Sequence, residues 1–239
     1  MALGSQPRWT VRPTVGARAD IDVGLREYML RIYNYMASGL ALTGIVAYVF
    51  AQSGYYAQVA HTPLIWLIML APLGLVMWLS YGIGRMQAST AQMLFWLYSG
   101  LMGLSLASVF LVFTGESIAR VFFITAGTFG AMSLYGYTTR RDLSQFGSFL
   151  FMGLIGIILA GLVNIFLQSS ALQFAISVIG VVVFVGLTAY DTQSIKEMYF
   201  ANDDGETASK KAVMGALRLY LDFINLFMLL LQLMGARRD

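Results

Sequence analysis

Two aspartates stand inside apolar runs of this chain, Asp191 in GLTAYDTQSIK and Asp222 in LYLDFINLF, whereas Glu116, Asp142 and Glu197 sit at run ends or in polar breaks. An aspartate at the centre of a membrane helix costs about 2.5–3.5 kcal/mol on insertion scales, so such a residue faces protein or water and is a functional candidate by default. If the two carboxyl groups approach in a low-dielectric site, repulsion and desolvation both favour the neutral form, and the pair is expected to share one proton. A shared proton would hold the two segments together. Its loss would leave two charges that either separate or recruit a cation, and Ca2+, which prefers carboxylate and carbonyl oxygens, is the natural guest. The alternative is that each aspartate is only a polar clasp to a neighbouring helix.

Other chemistries are poorly supplied. The chain has no cysteine and one histidine, His61, which excludes thiol nucleophiles, thiolate metal sites and any multi-histidine centre. No GxGxxG or P-loop pattern occurs. The net charge of +3 does not point to nucleic acid, because the basic residues lie in breaks between apolar runs instead of on one face of an element.

The elements that must position the aspartates are membrane spans. Of 239 residues, 58% are apolar and only 11% charged, against roughly 25% charged in a soluble domain. Seven runs reach the length of about 20 residues that a bilayer requires, at about 29–52, 64–84, 91–113, 119–137, 146–168, 171–191 and 213–234. The reading is an all-α membrane protein, a seven-helix bundle over 29–235 preceded by a flexible cytoplasmic tail over 1–28. The first run is too long for a signal-peptide core, so no cleavage is expected. With the amino terminus inside, twelve Lys and Arg fall inside and three (Arg120, Arg237, Arg238) outside, which sets the expected orientation. Arg237 and Arg238 are discordant, and a re-entrant last segment is the competing topology. Small residues at helix-contact spacing, Gly127 and Ala131, Gly156 and Ala160, Gly100 and Gly103, are expected to let helices approach closely. Asn164 and Asn225 are expected to hydrogen-bond between helices, and His61 to be solvated in an outer loop.

The sixth and seventh spans are antiparallel neighbours. If the sixth continues to about Tyr199, Asp191 lies eight residues from its inner end and Asp222 about nine from the start of the seventh, so both stand roughly 12–14 Å above the same loop. On the seventh span Arg218, Asp222, Asn225 and Gln232 fall within a stripe about 80° wide on an otherwise apolar helix, and that stripe should face the bundle interior. Arg218, one turn from Asp222, is placed to pair with it.

The stretches RDLSQFGSFLFMGLIGIILAGLVNIF (141–166), SVIGVVVFVGLTAYDTQSIK (177–196) and ALRLYLDFINLF (216–227) resemble the Bax inhibitor-1, or transmembrane BAX inhibitor motif, family in its bacterial branch. The resemblance runs from about residue 27 to 235. It implies a seven-helix fold with the seventh helix central, and a pH-sensitive calcium leak channel of the cell inner membrane in which two aspartates, here Asp191 and Asp222, share a proton and meet transient Ca2+. It also implies a latching arginine at the inner end of the second helix, for which Arg85 in SYGIGRMQAS is the match. Arg218 departs from the expected uncharged residue, and a cation there would weaken calcium binding. The competing function is a membrane interaction protein that modulates membrane proteolysis or stress responses, with a membrane-bound protease as partner and the tail over 1–28 as its handle. Paired intramembrane aspartates also occur in aspartyl proteases, but those carry a GxGD motif where this chain reads Leu219-Tyr220-Leu221-Asp222, so no enzymatic activity is expected.

Overall fold

A computed structural model describes residues 15–238, with side chains from Val23 onward. Its helices are α1 (Val15–Gln52), the short α2 (Tyr55–Ala60), α3 (Leu64–Gly82) with a 3-10 turn at Ile83–Arg85, α4 (Ala88–Val112), α5 (Gly115–Thr138), α6 (Ser144–Leu167), α7 (Ser170–Glu197) and α8 (Gly205–Met234). All but α2 contain stretches long and apolar enough to cross a membrane, seven in total. The sixth and seventh spans are therefore α7 and α8. Thr114, Ser169 and Asp204 cap α5, α7 and α8, each accepting from the backbone N–H three residues on and satisfying a donor that the first helical turn leaves free.

The helices outrun the apolar runs at their polar ends, because hydropathy detects the part of a helix in lipid and not its flanks. The largest differences are in α1, α7 and α8. Residues 15–28, expected to belong to the flexible tail, are helical, and residues 1–14 of that tail lie outside the described residues. Leu25, Tyr28, Met29 and Ile32 make an apolar stripe that packs into the core, with Tyr28 stacked on Tyr199 at 5.6 Å.

The last helix is the most enclosed. In its most apolar stretch 67% of the residues are buried, against 6% for α6. α8 packs directly on α1, α4, α5 and α7, while α3 stands outside against α4 and α6 outside against α7. Aromatic side chains fill its surroundings: Tyr220 is fully buried, edge-on to Phe95 and Tyr98 with centroids 6.2 and 5.5 Å away. Its hydroxyl meets Thr43 Oγ1 of α1 at 2.7 Å, and Thr43 in turn donates to the Ser99 carbonyl of α4.

The carboxyl-terminal residues settle the topology of the last segment. After Met234 the chain pairs with the α4–α5 connection: Thr114 N donates to Ala236 O at 3.0 Å and Arg238 N to Val112 O at 2.8 Å. α8 thus traverses the bundle without re-entry and leaves Arg237 and Arg238 at the same end as Arg120.

Close approaches occur at glycines other than most of those singled out by spacing. Gly103 does meet Thr43 and Val46, but a Cβ at Gly100, Gly127 or Gly156 would enter open space. Tight contacts elsewhere include Gly136 against the Ala189 backbone, Gly147 under the Tyr190 ring and Gly180 against Leu229. Small residues recur on lipid-facing surfaces as well, so spacing alone does not identify the contact face.

Candidate functional site

Gly215 lies against Ile195 and Gly180 against Leu229, an antiparallel register in which residue 213 is about level with residue 197. The first two turns of α8 run past the end of α7, held by Lys211, whose ammonium donates to Met198 O and pairs with Asp203 at 2.6 Å. In this register the Asp222 backbone stands roughly one turn farther from the α7–α8 loop than that of Asp191. Side chains lean toward their own helix's amino terminus, so on antiparallel helices the two carboxyl groups lean toward one another and close the offset. Both carboxyl groups line the same cavity. Asp222 is 5% exposed and its Oδ2 has no donor among the described residues, while Asp191 is half-buried.

Both aspartates open onto a cavity of about 820 Å³ between α6, α7 and α8. Arg218, Asp222, Asn225 and Gln232 all line it; Asp222 is buried, whereas Arg218, Asn225 and Gln232 are exposed where the cavity opens. The opposite wall is apolar, built by Phe151, Leu154, Ile157 and Ile158 of α6. Tyr190 closes one side by lying over Gly147, where a Cβ would come within 2.6 Å of its ring.

At the far end of the cavity from the aspartates, an amide chain ties three helices. Asn164 Nδ2 donates to Gln173 Oε1 at 3.1 Å, Gln173 Nε2 to Gln232 Oε1 at 2.6 Å, and Ser177 Oγ to the same Gln232 oxygen at 3.2 Å. Asn164 is thus an interhelical donor as expected. Asn225 is not: its Nδ2 returns to Leu221 O of its own helix at 2.8 Å, which leaves its Oδ1 toward the cavity.

Sequence reasoning missed two supports of Asp191. A hydroxyl chain runs from Tyr33 of α1 through Ser133 of α5 (2.6 Å) to Thr192 of α7 (2.9 Å), beside Asp191. On the next residue, Gln193 Oε1 accepts from Leu143 N and its Nε2 donates to Arg141 O, each at 2.8 Å, which fastens the α5–α6 loop to α7. A signal was present in the polar run Thr192-Gln193 following Asp191, whose partners, Ser133 of α5 for Thr192 and the α5–α6 loop for Gln193, lie far off in the chain.

Arg218 lines the same cavity as both aspartates, but it forms no ion pair with either among the described residues. Arg85 stands apart. It is exposed at the end of α3, which packs on α4 and not on α7, and the structure does not bring it to Asp191. His61 is exposed in the α2–α3 connection, as expected.

Two ionised carboxylates about 4 Å apart repel by about 4 kcal/mol at an effective dielectric of 20, so a packed pair needs a proton or a cation between them. The two aspartates offer at most about four oxygens, fewer than the six to eight that Ca2+ takes, and no third acidic or histidine side chain joins them among the described residues. The further side-chain oxygens on the cavity lining are those of Ser148, Tyr190, Asn225 and Gln232. The arrangement suits a site of passage or sensing more than a closed cage.

Known proteins resemble the chain over nearly its whole length. It is 52% identical over 227 residues to an uncharacterized protein of Rickettsia prowazekii, covering 95% of this chain and 96% of the relative. It is 53% identical over 219 residues to the inner membrane protein YbhL of Escherichia coli K12, covering 90% and 94%. A membrane protein of Streptococcus pyogenes serotype M6 is 34% identical over 217 residues, covering 90% and 94%. The family described as inhibitor of apoptosis-promoting Bax1 matches residues 25–239, and with the seven spans and the aspartate pair at the α7–α8 contact already in view, the chain belongs to that Bax inhibitor-1 family.

Proposed function

We propose that this protein is a pH-sensitive calcium leak channel of the cell inner membrane, gated by the protonation of Asp191 and Asp222. The observation that carries the reading is that Asp191 and Asp222, on adjacent helices, open onto one cavity along which α8 also sets Asn225 and Gln232. Proton and calcium compete for the same oxygens. A proton between the carboxyls ties α7 to α8; without it the pair requires a cation, and the stripe through Asn225 to Gln232 offers successive oxygens along one wall. The Gln173–Gln232 bond lies at the other end of that stripe. Arg218 lowers the attraction of the site for a divalent ion by its own charge, which favours brief occupancy over capture. The name of YbhL, an inner membrane protein, supports the location.

The test is calcium flux into dye-loaded liposomes across a pH series. Wild type is expected to show a flux that changes with pH, and Asp191→Asn and Asp222→Asn are expected to abolish that dependence while still folding, as checked by thermal unfolding in detergent. A wild-type pH profile retained in both variants overturns the reading.

A further inference from the structure

On the face of α8 away from the aspartates, α1 and α5 each pack on α8 but scarcely on one another. Between them runs an apolar furrow in three connected sections. The first, about 450 Å³, is floored by Met29, Met36 and Phe129, which are 3%, 7% and 4% exposed, and rimmed by exposed Leu30 and Leu134. The second, about 560 Å³, shares Met36, Ala37 and Phe129 with the first. The third, about 290 Å³, shares Leu40, Gly44, Phe122 and Phe223 with the second.

Three features say what fills the first section. It opens sideways between two spanning helices, so in a bilayer its neighbour is lipid. From Arg26 to Ala37 it follows α1 for about 16 Å, the depth of one leaflet of a hydrocarbon core about 30 Å thick. At its mouth is the Arg26 guanidinium, a planar fork matched to a phosphate, whereas the neighbouring Glu27 turns to a different crevice with Arg31. A second cation, Lys196, lies 5.7 Å from the ring of Tyr137, which lines the same mouth.

We propose that this section of the furrow is a binding site for one anionic phospholipid of the leaflet at the amino-terminal end of α1, with an acyl chain against Met29, Met36 and Phe129 and the phosphate on Arg26. The site is independent of calcium passage. Its length matches one chain in one leaflet, and its single charged lining residue lies at the headgroup end.

Native mass spectrometry of the full chain, delipidated in detergent and titrated with phosphatidylglycerol, phosphatidylcholine or laurate, tests it. One phosphatidylglycerol is expected to bind first and about fivefold more tightly than phosphatidylcholine, the preference that one basic residue gives at an anionic surface. Gly130→Leu places a side chain in the furrow, where a Cβ meets no atom within 4 Å, and should remove the first adduct; Ala37→Leu, on the α1 side of the same section, is the second filling variant if the first does not fold. Gly156→Leu, also in open space but on α6, should leave it intact. Arg26→Gln should retain the adduct with the two phospholipids equalised. Unchanged binding in the filled variants would mean ordinary annular lipid and overturn the site. An unchanged preference in Arg26→Gln, or laurate binding as well as phosphatidylglycerol, overturns the phospholipid assignment.

Discussion

The two sides of α8 border two gaps of different chemistry. Toward α6 and α7 the helix shows Arg218, Asp222, Asn225 and Gln232 to a cavity; toward α1 and α5 it shows Phe223, Ile224 and Phe227 to an apolar furrow, with Phe223 edge-on to Phe122 and Phe129, each at 5.5 Å. Both gaps arise because a central helix cannot be sealed by straight neighbours on every side. What differs is the cost of leaving each one open. Lipid fills an apolar gap without loss, but a polar gap in the membrane must hold water, an ion or a proton, since an unsatisfied polar group there costs several kcal/mol. Adjacent residues on one helix, Asp222 and Phe223, therefore belong to different environments. The partition between the two sides is the contact of α5 with α7, where Gly136 meets the Ala189 backbone.

The strongest way to break this contrast is to remove the charge from the polar side. Asp222→Asn keeps the shape and the burial but cannot form a shared-proton pair, and calcium flux in liposomes is expected to lose its pH dependence entirely. Damaging the partition comes next. Gly136→Ala should lower stability in detergent by about 1–3 kcal/mol, because its methyl meets backbone that cannot move aside, whereas Gly156→Ala should be neutral or stabilising by up to about 1 kcal/mol. Equal unfolding temperatures for the two variants would count against the proposed partition.

Smaller effects sharpen the contrast. Arg218→Gln removes a repelling cation from the polar side and should lower the half-saturating calcium concentration by about threefold to tenfold, measured as the concentration dependence of flux. On the other side, Thr43→Val takes from Tyr220 the partner at 2.7 Å and should cost about 1–2 kcal/mol in thermal unfolding, with the calcium response unchanged. The smallest effect concerns the start of α8. Asp204 accepts from Thr207 N at 2.6 Å, and that bond holds its carboxyl below the usual aspartate value. A depressed carboxylate stabilises the fold above its ordinary titration range and loses that contribution as pH falls through its lowered one. Asp204→Ala should therefore reduce stability slightly at neutral pH and make no difference in strong acid, read by unfolding at both.

Much of the candidate site is legible in the order of residues. The cost of a charge in lipid singles out Asp191 and Asp222, and the 100° step of a helix groups Asp222 with Asn225 and Gln232 on the wall that does line the cavity. Arg85 is not legible in this way. Its assignment rests on resemblance, and α3 packs against α4 instead of α7. Nor are the hydroxyl chain Tyr33–Ser133–Thr192 or the Gln193 clasp, since each joins helices whose adjacency no local pattern encodes.

By itself, then, the amino-acid order determined the number of spans and which side of the last helix is polar, because those follow from transfer energies and backbone periodicity within one segment. Only the tertiary structure decided that α8 is enclosed by α1, α4, α5 and α7, which glycines are true contacts, and that the apolar side of α8 opens on a furrow. Those outcomes depend on how side chains of different helices interlock, and lipid, being as apolar as the helices, gives hydropathy no power to choose among the packings.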